Sequence, residues 1–294
     1  RMIAVSDTLY RLYANLLRSM FQDWCDQHNQ LPDTQFGFYP GRSTLQPLFI
    51  LRHLRDAAQK IQRGSSRLYT AFIDFKQAYD SIPRSKLWDH LQNCQMPHHI
   101  VSILKDLYHE DEYTLLDGDK RANVQPSFGV KQGCPLSPLL FSIYLNDIDC
   151  LAEGVEGALT SIPNFMVTHL LFADDLSLMS NDHTNVQTML NKLRAYAERK
   201  SLTVNTLKSE VMCFNSRSDN LPPLYFDGTQ LPYTDTFKYL GMVLDKTFNL
   251  DVAADAALRP FTAGTFRVKK FVQEHDLANR LHAQIWLLKT YAIP

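Results

Sequence analysis

Paired or clustered cysteine is the first thing this 294-residue sequence lacks. Its five cysteines (Cys25, Cys94, Cys134, Cys150, Cys213) are scattered with no CxxC spacing, which argues against a zinc site or a disulfide frame and for reduced thiols in an intracellular protein, in nucleus or cytoplasm. No apolar run reaches the ~18 residues needed to span a bilayer. The longest, around Pro138–Leu145 and Phe165–Phe172, are interrupted by Ser, Thr and His, so no membrane partner is expected. No signal-peptide or other targeting pattern opens the chain, since Met2 is followed by the polar pair Ser6-Asp7. There is no internal repeat and no low-complexity linker. With 45% apolar and 21% charged residues and a formal net charge of −1, a disordered tail, a collagen-like fibre and a supercharged nucleic-acid-binding arm are all excluded. Arg1 stands where Met is usual, and Pro294 falls inside a helical pattern, so we expect a piece of something longer.

The near-zero net charge is unevenly spread. The first 72 residues carry nine Lys/Arg against five Asp/Glu, residues 246–294 carry seven against four, and the stretch between carries fourteen against twenty-two. Basic ends around an acidic middle suit a protein that holds a polyanion at its ends and cations at its centre, although chance clustering on solvated faces gives the same pattern.

Periodicity predicts an α+β fold with a helical C-terminal piece. Residues 7–29 read as a helix capped by Asp7, with Leu9, Leu12, Tyr13, Leu16, Leu17, Met20 and Trp24 as its apolar face. A Gly/Pro loop at 36–42 leads to a helix from Ser43 or Thr44 to about Gln62. Leu68–Phe75 reads as a buried strand, with helices following near Gln77–Gln92 and His99–Tyr108. A weak hairpin is expected around Asp117–Asp119, a short strand at Phe128–Lys131, and a helix from an N-cap at Ser137 to about Cys150. After a loop at 151–164, strands at Phe165–Phe172 and Leu176–Met179 enclose Ala173-Asp174-Asp175. Asn185–Arg199 is helical, Thr203–Asn205 and Glu210–Asn215 are extended, Phe237–Leu244 pairs about Gly241, and residues 251–291 are helical.

The carboxylates carry the chemistry. Asp74 ends an apolar strand, where it needs a cation, a metal ion or the sheet edge, or else caps the following helix. Asp174-Asp175 sits in a hairpin, where adjacent carboxylates repel and a neutralising ion helps, or where Asp simply suits a tight turn. Jointly, three carboxylates on neighbouring strand ends make a hard-oxygen site suited to Mg²⁺. Two such ions ~3.5–4 Å apart activate a hydroxyl and stabilise a leaving pyrophosphate.

At these positions the chain resembles the reverse transcriptase domain of LINE-type (non-LTR) retrotransposons. Arg1-Met2-Ile3 is similar to the opening of the fingers core, with Met2 in place of the usual Pro, and Gln35–Ser43 to the second fingers motif. Ala71–Ser81, Gly129–Asp147, Phe172–Asp175 and Leu202–Glu210 resemble motifs A, B, C and D, and Phe237–Gly241 the primer grip. Several motifs in order are far more specific than one Asp-Asp hairpin. The resemblance implies a right-hand polymerase: fingers at 1–67, a palm at 68–245 whose antiparallel sheet packs on helices, an inserted fingers segment at about 86–128, and the start of a thumb at 246–294.

It also implies roles. Asp74, Asp174 and Asp175 bind two Mg²⁺ ions, with Mn²⁺ as a substitute, and the Phe75 carbonyl lies beside one of them. Tyr79 is a steric gate against the ribose 2′-hydroxyl, followed by Asp80, whose alternative reading is a helix-start carboxylate. Gln132 and Gly133 line the nucleotide pocket, Arg1 grips the triphosphate, and Lys208 is the general acid for pyrophosphate. Tyr239, Leu240 and Gly241 contact the primer, Arg42 the template phosphate, and Arg267, Lys269 and Lys270 the duplex backbone. The implied partners are an RNA template, a DNA primer and dNTPs, with an endonuclease and further nucleic-acid-binding segments in flanking sequence. Two alternatives stand beside this. One is a group II intron-type reverse transcriptase/maturase, against which Phe172 rather than Tyr leans; the other is a non-catalytic RNA-binding module derived from a polymerase.

Overall fold

A computed structural model describes residues 7–61, 67–109, 113–117, 120–124, 126–162, 165–216, 220–275, 280, 282–283, 286–287 and 290. The chain forms two compact units, Arg1–Tyr233 and Thr234–Pro294.

In the first unit, α1 (Thr8–Gln27) and α2 (Leu45–Ile61) precede β1 (Leu68–Ile73), α3 (Ala78–Ser81), α4 (Arg84–Asn93) and α5 (His98–His109). The hairpin β2 (Tyr113–Asp117) and β3 (Lys120–Val124) follows, then α6 (Ser137–Tyr144) and a 3₁₀ turn at Ile148–Leu151. Next come β4 (Ala158–Leu159), β5 (Met166–Val167), β6 (His169–Phe172), β7 (Asp175–Ser180) and α7 (His183–Lys200). The unit closes with β8 (Glu210–Phe214), β9 (Tyr225–Phe226) and β10 (Thr229–Gln230). A four-stranded antiparallel sheet, ordered β6-β7-β1-β8, is its centre. All six residues of β1 are buried, which is why apolar residues there do not alternate with exposed polar ones, Thr70 being the single polar side chain. Helix α7 packs on β7 and β1, and α4 packs on α5 and α6.

The second unit holds the hairpin β11 (Thr236–Tyr239) and β12 (Met242–Asp245), and helix α8 (Leu250–Glu274), which packs on β12. Leu240 and Gly241 turn the hairpin with φ of 48° and 87°, the two positive values that a two-residue turn matching strand twist demands. Asn249 caps α8 by accepting from the Asp251 N–H (2.9 Å).

Asp7 caps α1 as expected, accepting from the Leu9 N–H at 2.8 Å. The apolar face of α1 is a correction. Ala14, Leu17, Phe21, Trp24 and Cys25 are buried, whereas Leu9, Leu12, Tyr13, Leu16 and Met20 are exposed. The helix is apolar on two sides, and the side richer in aliphatic residues faces away from the core. Accordingly Leu12→Gln should change unfolding free energy by no more than about 0.5 kcal/mol, while Phe21→Ala should cost about 3–5 kcal/mol, as read by urea denaturation.

Other differences have local causes. Ser137 is the first helical residue, not the cap, and α6 stops at Tyr144 instead of running to Cys150. Its end is fixed from outside: the Lys200 ammonium donates to the Tyr144 carbonyl (2.7 Å), and His90 Nε2 lies 3.0 Å from the Ile143 carbonyl. Phe128–Lys131 is no strand; only Phe128 bridges, to Pro83, and Gly129 at φ 80° turns the chain away. The expected strand 165–172 breaks at Thr168, and its first part pairs with β4, inside what reads as a loop. The hairpin β9–β10 was not anticipated, although its turn is Asp227-Gly228, a recognised hairpin signal. The expected turn residues Gly118 and Asp119, and much of the stretch after His275, lie outside the described residues.

A buried polar cluster ties α4, α6 and α7 together. Lys200 donates to Asp147 (2.9 Å) and lies 3.2 Å from His90 Nδ1, and the Tyr196 hydroxyl donates to Asp147 at 2.9 Å. Burial, and then the Lys200 charge, hold the His90 pKa below the ordinary value. Burial works to raise Asp147, but its bond and attraction to Lys200 outweigh that and lower it. The unfolded chain thus takes up the histidine proton more readily than the folded one. Stability should fall as pH drops below the ordinary histidine pKa of about 6.5, with the Asp147 contribution lost only at more acid pH. His90→Gln should flatten the slope of urea midpoint against pH between about 7 and 5.

Candidate active site

β1 ends where the 203–209 segment takes over its hydrogen bonding. The Asn205 N–H donates to the Asp74 carbonyl (2.7 Å) and the Asp74 N–H donates to Ser209 Oγ (3.1 Å). The Asn205 side chain then donates to Asp74 Oδ2 (3.0 Å), which fixes the carboxylate. Phe75, buried, bridges Val204. Sequence reading singled out Lys208 in this segment and missed Asn205 and Ser209. Both are ordinary polar residues between apolar runs, and only the fold reveals their partner. Lys208 itself lies exposed in the turn, its N–H donating to the Asn205 carbonyl (3.0 Å).

The β6–β7 hairpin is tighter than the sequence suggests. Phe172 pairs with Asp175, so the turn is Ala173-Asp174 alone, with Ala173 at φ 58°. β1 pairs with β7 up to Ile73↔Leu176. Continuing that register by one residue brings Asp74 level with Asp175, with Asp174 next to it in the turn. Carboxylates from distant parts of the chain therefore fall at the same end of the sheet.

Asp174 and Asp175 line a cleft of about 450 Å³ together with Phe38, Tyr79, Gln132 and Gly133. Asp74 is not part of that lining. The Tyr79 ring stacks on Phe141 (4.5 Å between centroids, 15° between planes), which fixes its aromatic plane. Gln132 donates to Asp80 Oδ2 at 2.6 Å. Gly129 carries this wall: its N–H donates to the Ile82 carbonyl (2.8 Å), and the Val130 N–H donates to the Tyr79 carbonyl (2.9 Å). Lys131 is a cleft residue that sequence reading did not name; it is buried, with its ammonium 4.2 Å from the centre of the Tyr10 ring.

Arg42 has structural partners within its own unit. Its guanidinium braces its own loop, donating to the carbonyls of Asp33 (2.8 Å) and Gln35 (2.6 Å) and stacking over Tyr39 at 4.4 Å. Arg1 lies outside the described residues. Tyr239 (buried), Leu240 and Gly241 belong to the second unit, as do Arg267, Lys269 and Lys270, all exposed on α8.

The donor set is carboxylate oxygen. Among the described residues no group of three or more His, Cys, Asp or Glu side chains is placed to hold a metal ion. Mg²⁺ is commonly held by one or two carboxylates, with water and substrate phosphates completing its octahedron, so an open set of this composition fits such an ion. Among the described residues no helix is long and apolar enough to cross a membrane.

Comparison with known proteins bears on the family and the fold. Residues 1–244 match the family described as reverse transcriptase (RNA-dependent DNA polymerase). The chain is 27% identical over 262 residues to a probable RNA-directed DNA polymerase from transposon BS of Drosophila melanogaster, covering 84% of this chain and 27% of that protein. It is 23% identical over 266 residues to the RNA-directed DNA polymerase from mobile element jockey of Drosophila funebris, covering 88% of this chain and 26% of that protein. The chain thus spans about a quarter of the length of these curated relatives. Among solved structures, apo telomerase from Candida tropicalis aligns with a TM-score of 0.57 at 12% identity, over 82% of this chain and 45% of that one. At that identity the likeness shows the fold, an α+β right-hand polymerase.

Proposed function

The chain belongs to the reverse transcriptase (RNA-dependent DNA polymerase) family, and from that premise we propose that it copies RNA into DNA as the polymerase of a LINE-type (non-LTR) retrotransposon. The reading is carried by one observation: Asp174 and Asp175 line a cleft walled by Tyr79, Gln132 and Gly133, at the end of the sheet where the β1–β7 register, continued by one residue, sets Asp74 opposite Asp175.

In the proposed reaction the 3′-oxygen of a DNA primer attacks the α-phosphorus of a dNTP paired to an RNA template. A P–O bond to the primer forms, the bond to pyrophosphate breaks, and the 3′-hydroxyl proton passes to solvent. Asp74, Asp174 and Asp175 would hold Mg²⁺, or Mn²⁺ in its place, and by resemblance the Phe75 carbonyl would join them. When bound, these ions lower the pKa of the attacking hydroxyl and neutralise charge on the triphosphate. Asn205 keeps Asp74 in one rotamer, so the carboxylate does not reorganise as charge develops. The Tyr79 ring, stacked on Phe141, is in this proposal the steric gate against a ribose 2′-hydroxyl. Gln132 and Gly133 contact the nucleotide, and Lys208 donates a proton to the departing pyrophosphate. By resemblance, Arg1 engages the triphosphate and Tyr239, Leu240 and Gly241 the primer end.

The test is extension of a labelled DNA primer on an RNA template by the purified chain with dNTPs and Mg²⁺. Stepwise elongation is expected. RNA binding with no incorporation in either Mg²⁺ or Mn²⁺ overturns the reading in favour of a non-catalytic RNA-binding module.

A further inference from the structure

The Gln35-Phe36-Gly37 stretch sits in a loop, yet Gln35 is only 1% exposed. A buried side-chain amide is costly unless its polar atoms are satisfied. Here the carbonyl oxygen Oε1 accepts from the Ala173 N–H (3.0 Å) and from the Gly37 N–H (2.8 Å), so both lone pairs are used. The amide nitrogen lies 3.5 Å from the Ala173 carbonyl. The backbone joins in: Phe36 N–H donates to the Leu171 carbonyl and Leu171 N–H donates to the Thr34 carbonyl, each at 2.8 Å. Residues 34–36 thereby cover the outer edge of β6 with a single parallel bridge, Gln35↔Leu171. Gly37 completes the fit, because a Cβ there would lie 2.2 Å from the Ala173 nitrogen.

Ala173 needs this support. Its φ of 58° is a conformation that alanine rarely adopts, and the next residue is Asp174. Left to itself, the turn could relax by rotating Ala173, which would swing the Asp174 carboxylate. We infer that Gln35, backed by Gly37, is a positioning residue that locks the Ala173-Asp174 turn and so sets where the Asp174 carboxylate stands relative to Asp74. This rests on the polymerase reading for its kinetic consequence and on geometry alone for the lock itself.

The experiment compares the parent chain with Gln35→Met, which keeps the length and removes the acceptor, and Gln35→Glu, whose carboxyl retains an acceptor oxygen. Amide hydrogen exchange of the 169–178 hairpin is followed alongside single-nucleotide extension titrated with Mg²⁺. In Gln35→Met the Ala173 amide should exchange at least about tenfold faster. Its kcat should fall about ten- to a hundredfold, as a displaced reacting group implies, with KM for dNTP and Kd for RNA within about twofold and half-saturation shifted to higher Mg²⁺. Gln35→Glu should recover part of both effects. Unchanged hairpin exchange in Gln35→Met, or unchanged kcat and Mg²⁺ requirement in that folded variant, overturns the proposal. If Gln35→Met does not fold, slow exchange at Ala173 in the parent with partial loss in Gln35→Glu supports the lock, and fast exchange in the parent overturns it. A parent that protects Ala173 but extends no primer overturns the polymerase reading and leaves the lock standing, so the two failures are distinct.

Discussion

Asp174→Asn is expected to reduce nucleotide incorporation by about 10³-fold or more, equivalent to about 4 kcal/mol of lost transition-state stabilisation. The substitution preserves shape and keeps one oxygen, but removes the charge that a divalent ion must meet in the cleft. Asp174 occupies the turn itself, beside Asp175 and close to the end of β1. Its loss therefore should not disturb the sheet, and the thermal midpoint should stay near the parent's. Primer extension on an RNA template, with RNA affinity measured in parallel, checks this. The expected result is retained binding with extension near background. Extension at the parent's rate would remove the metal-binding role and with it the mechanism above. Asp74→Asn should behave alike, although there the bond from Asn205 to Oδ2 survives with an amide oxygen as acceptor, so the fold is doubly protected.

Gly129→Ala is the second large effect, and it acts through backbone. Gly129 has a φ of 80°, and an added Cβ would lie 2.9 Å from the Asp80 Cα and 3.0 Å from the Tyr79 carbonyl oxygen. Neither is the mobile end of a side chain, so the strap must lift away from α3 or α3 must move. The left-handed conformation and the overpacking together should cost about 3 kcal/mol of stability. The same movement displaces the Tyr79 ring from Phe141 and loosens the Gln132–Asp80 hydrogen bond. We therefore expect a raised KM for dNTP and weaker exclusion of ribonucleotides, measured as the ratio of kcat/KM for dNTP and rNTP. Parent-like stability and discrimination in Gly129→Ala would show that the strap does not carry this wall.

Elements with a strong local signature were legible. β1, α2, α5 and α7 were found because their apolar spacing is set by burial on one side or both, and periodicity reports that directly. The hairpin carrying Asp174 and Asp175 was found for the same reason. What periodicity could not do was choose between two apolar faces. In α1 both sides carry large apolar residues, and only the position of the sheet and its helices determines that Phe21 and Trp24 go inward while Leu12 and Leu16 stay out. Likewise α6 ends early because Lys200 and His90, distant in sequence, take its last carbonyls.

The polar residues divide the same way. The acidic trio stood out because carboxylates at the ends of apolar strands are chemically unusual, whereas Tyr79 and the Gln132-Gly133 pair were named only through the resemblance to reverse transcriptase motifs. Gln35, Asn205 and Ser209 fall inside stretches that resemble family motifs, but their residue types gave them no role. A glutamine in a loop carries no periodicity, and its meaning depends on a backbone N–H lying 138 residues away. From the sequence alone came the fold class, the family and the acidic groups suited to metal chemistry, since these depend on local pattern and residue type. Which amides hold those acids in place was decided only when the chain closed on itself, because a hydrogen bond between remote segments exists in three dimensions and leaves no trace in one.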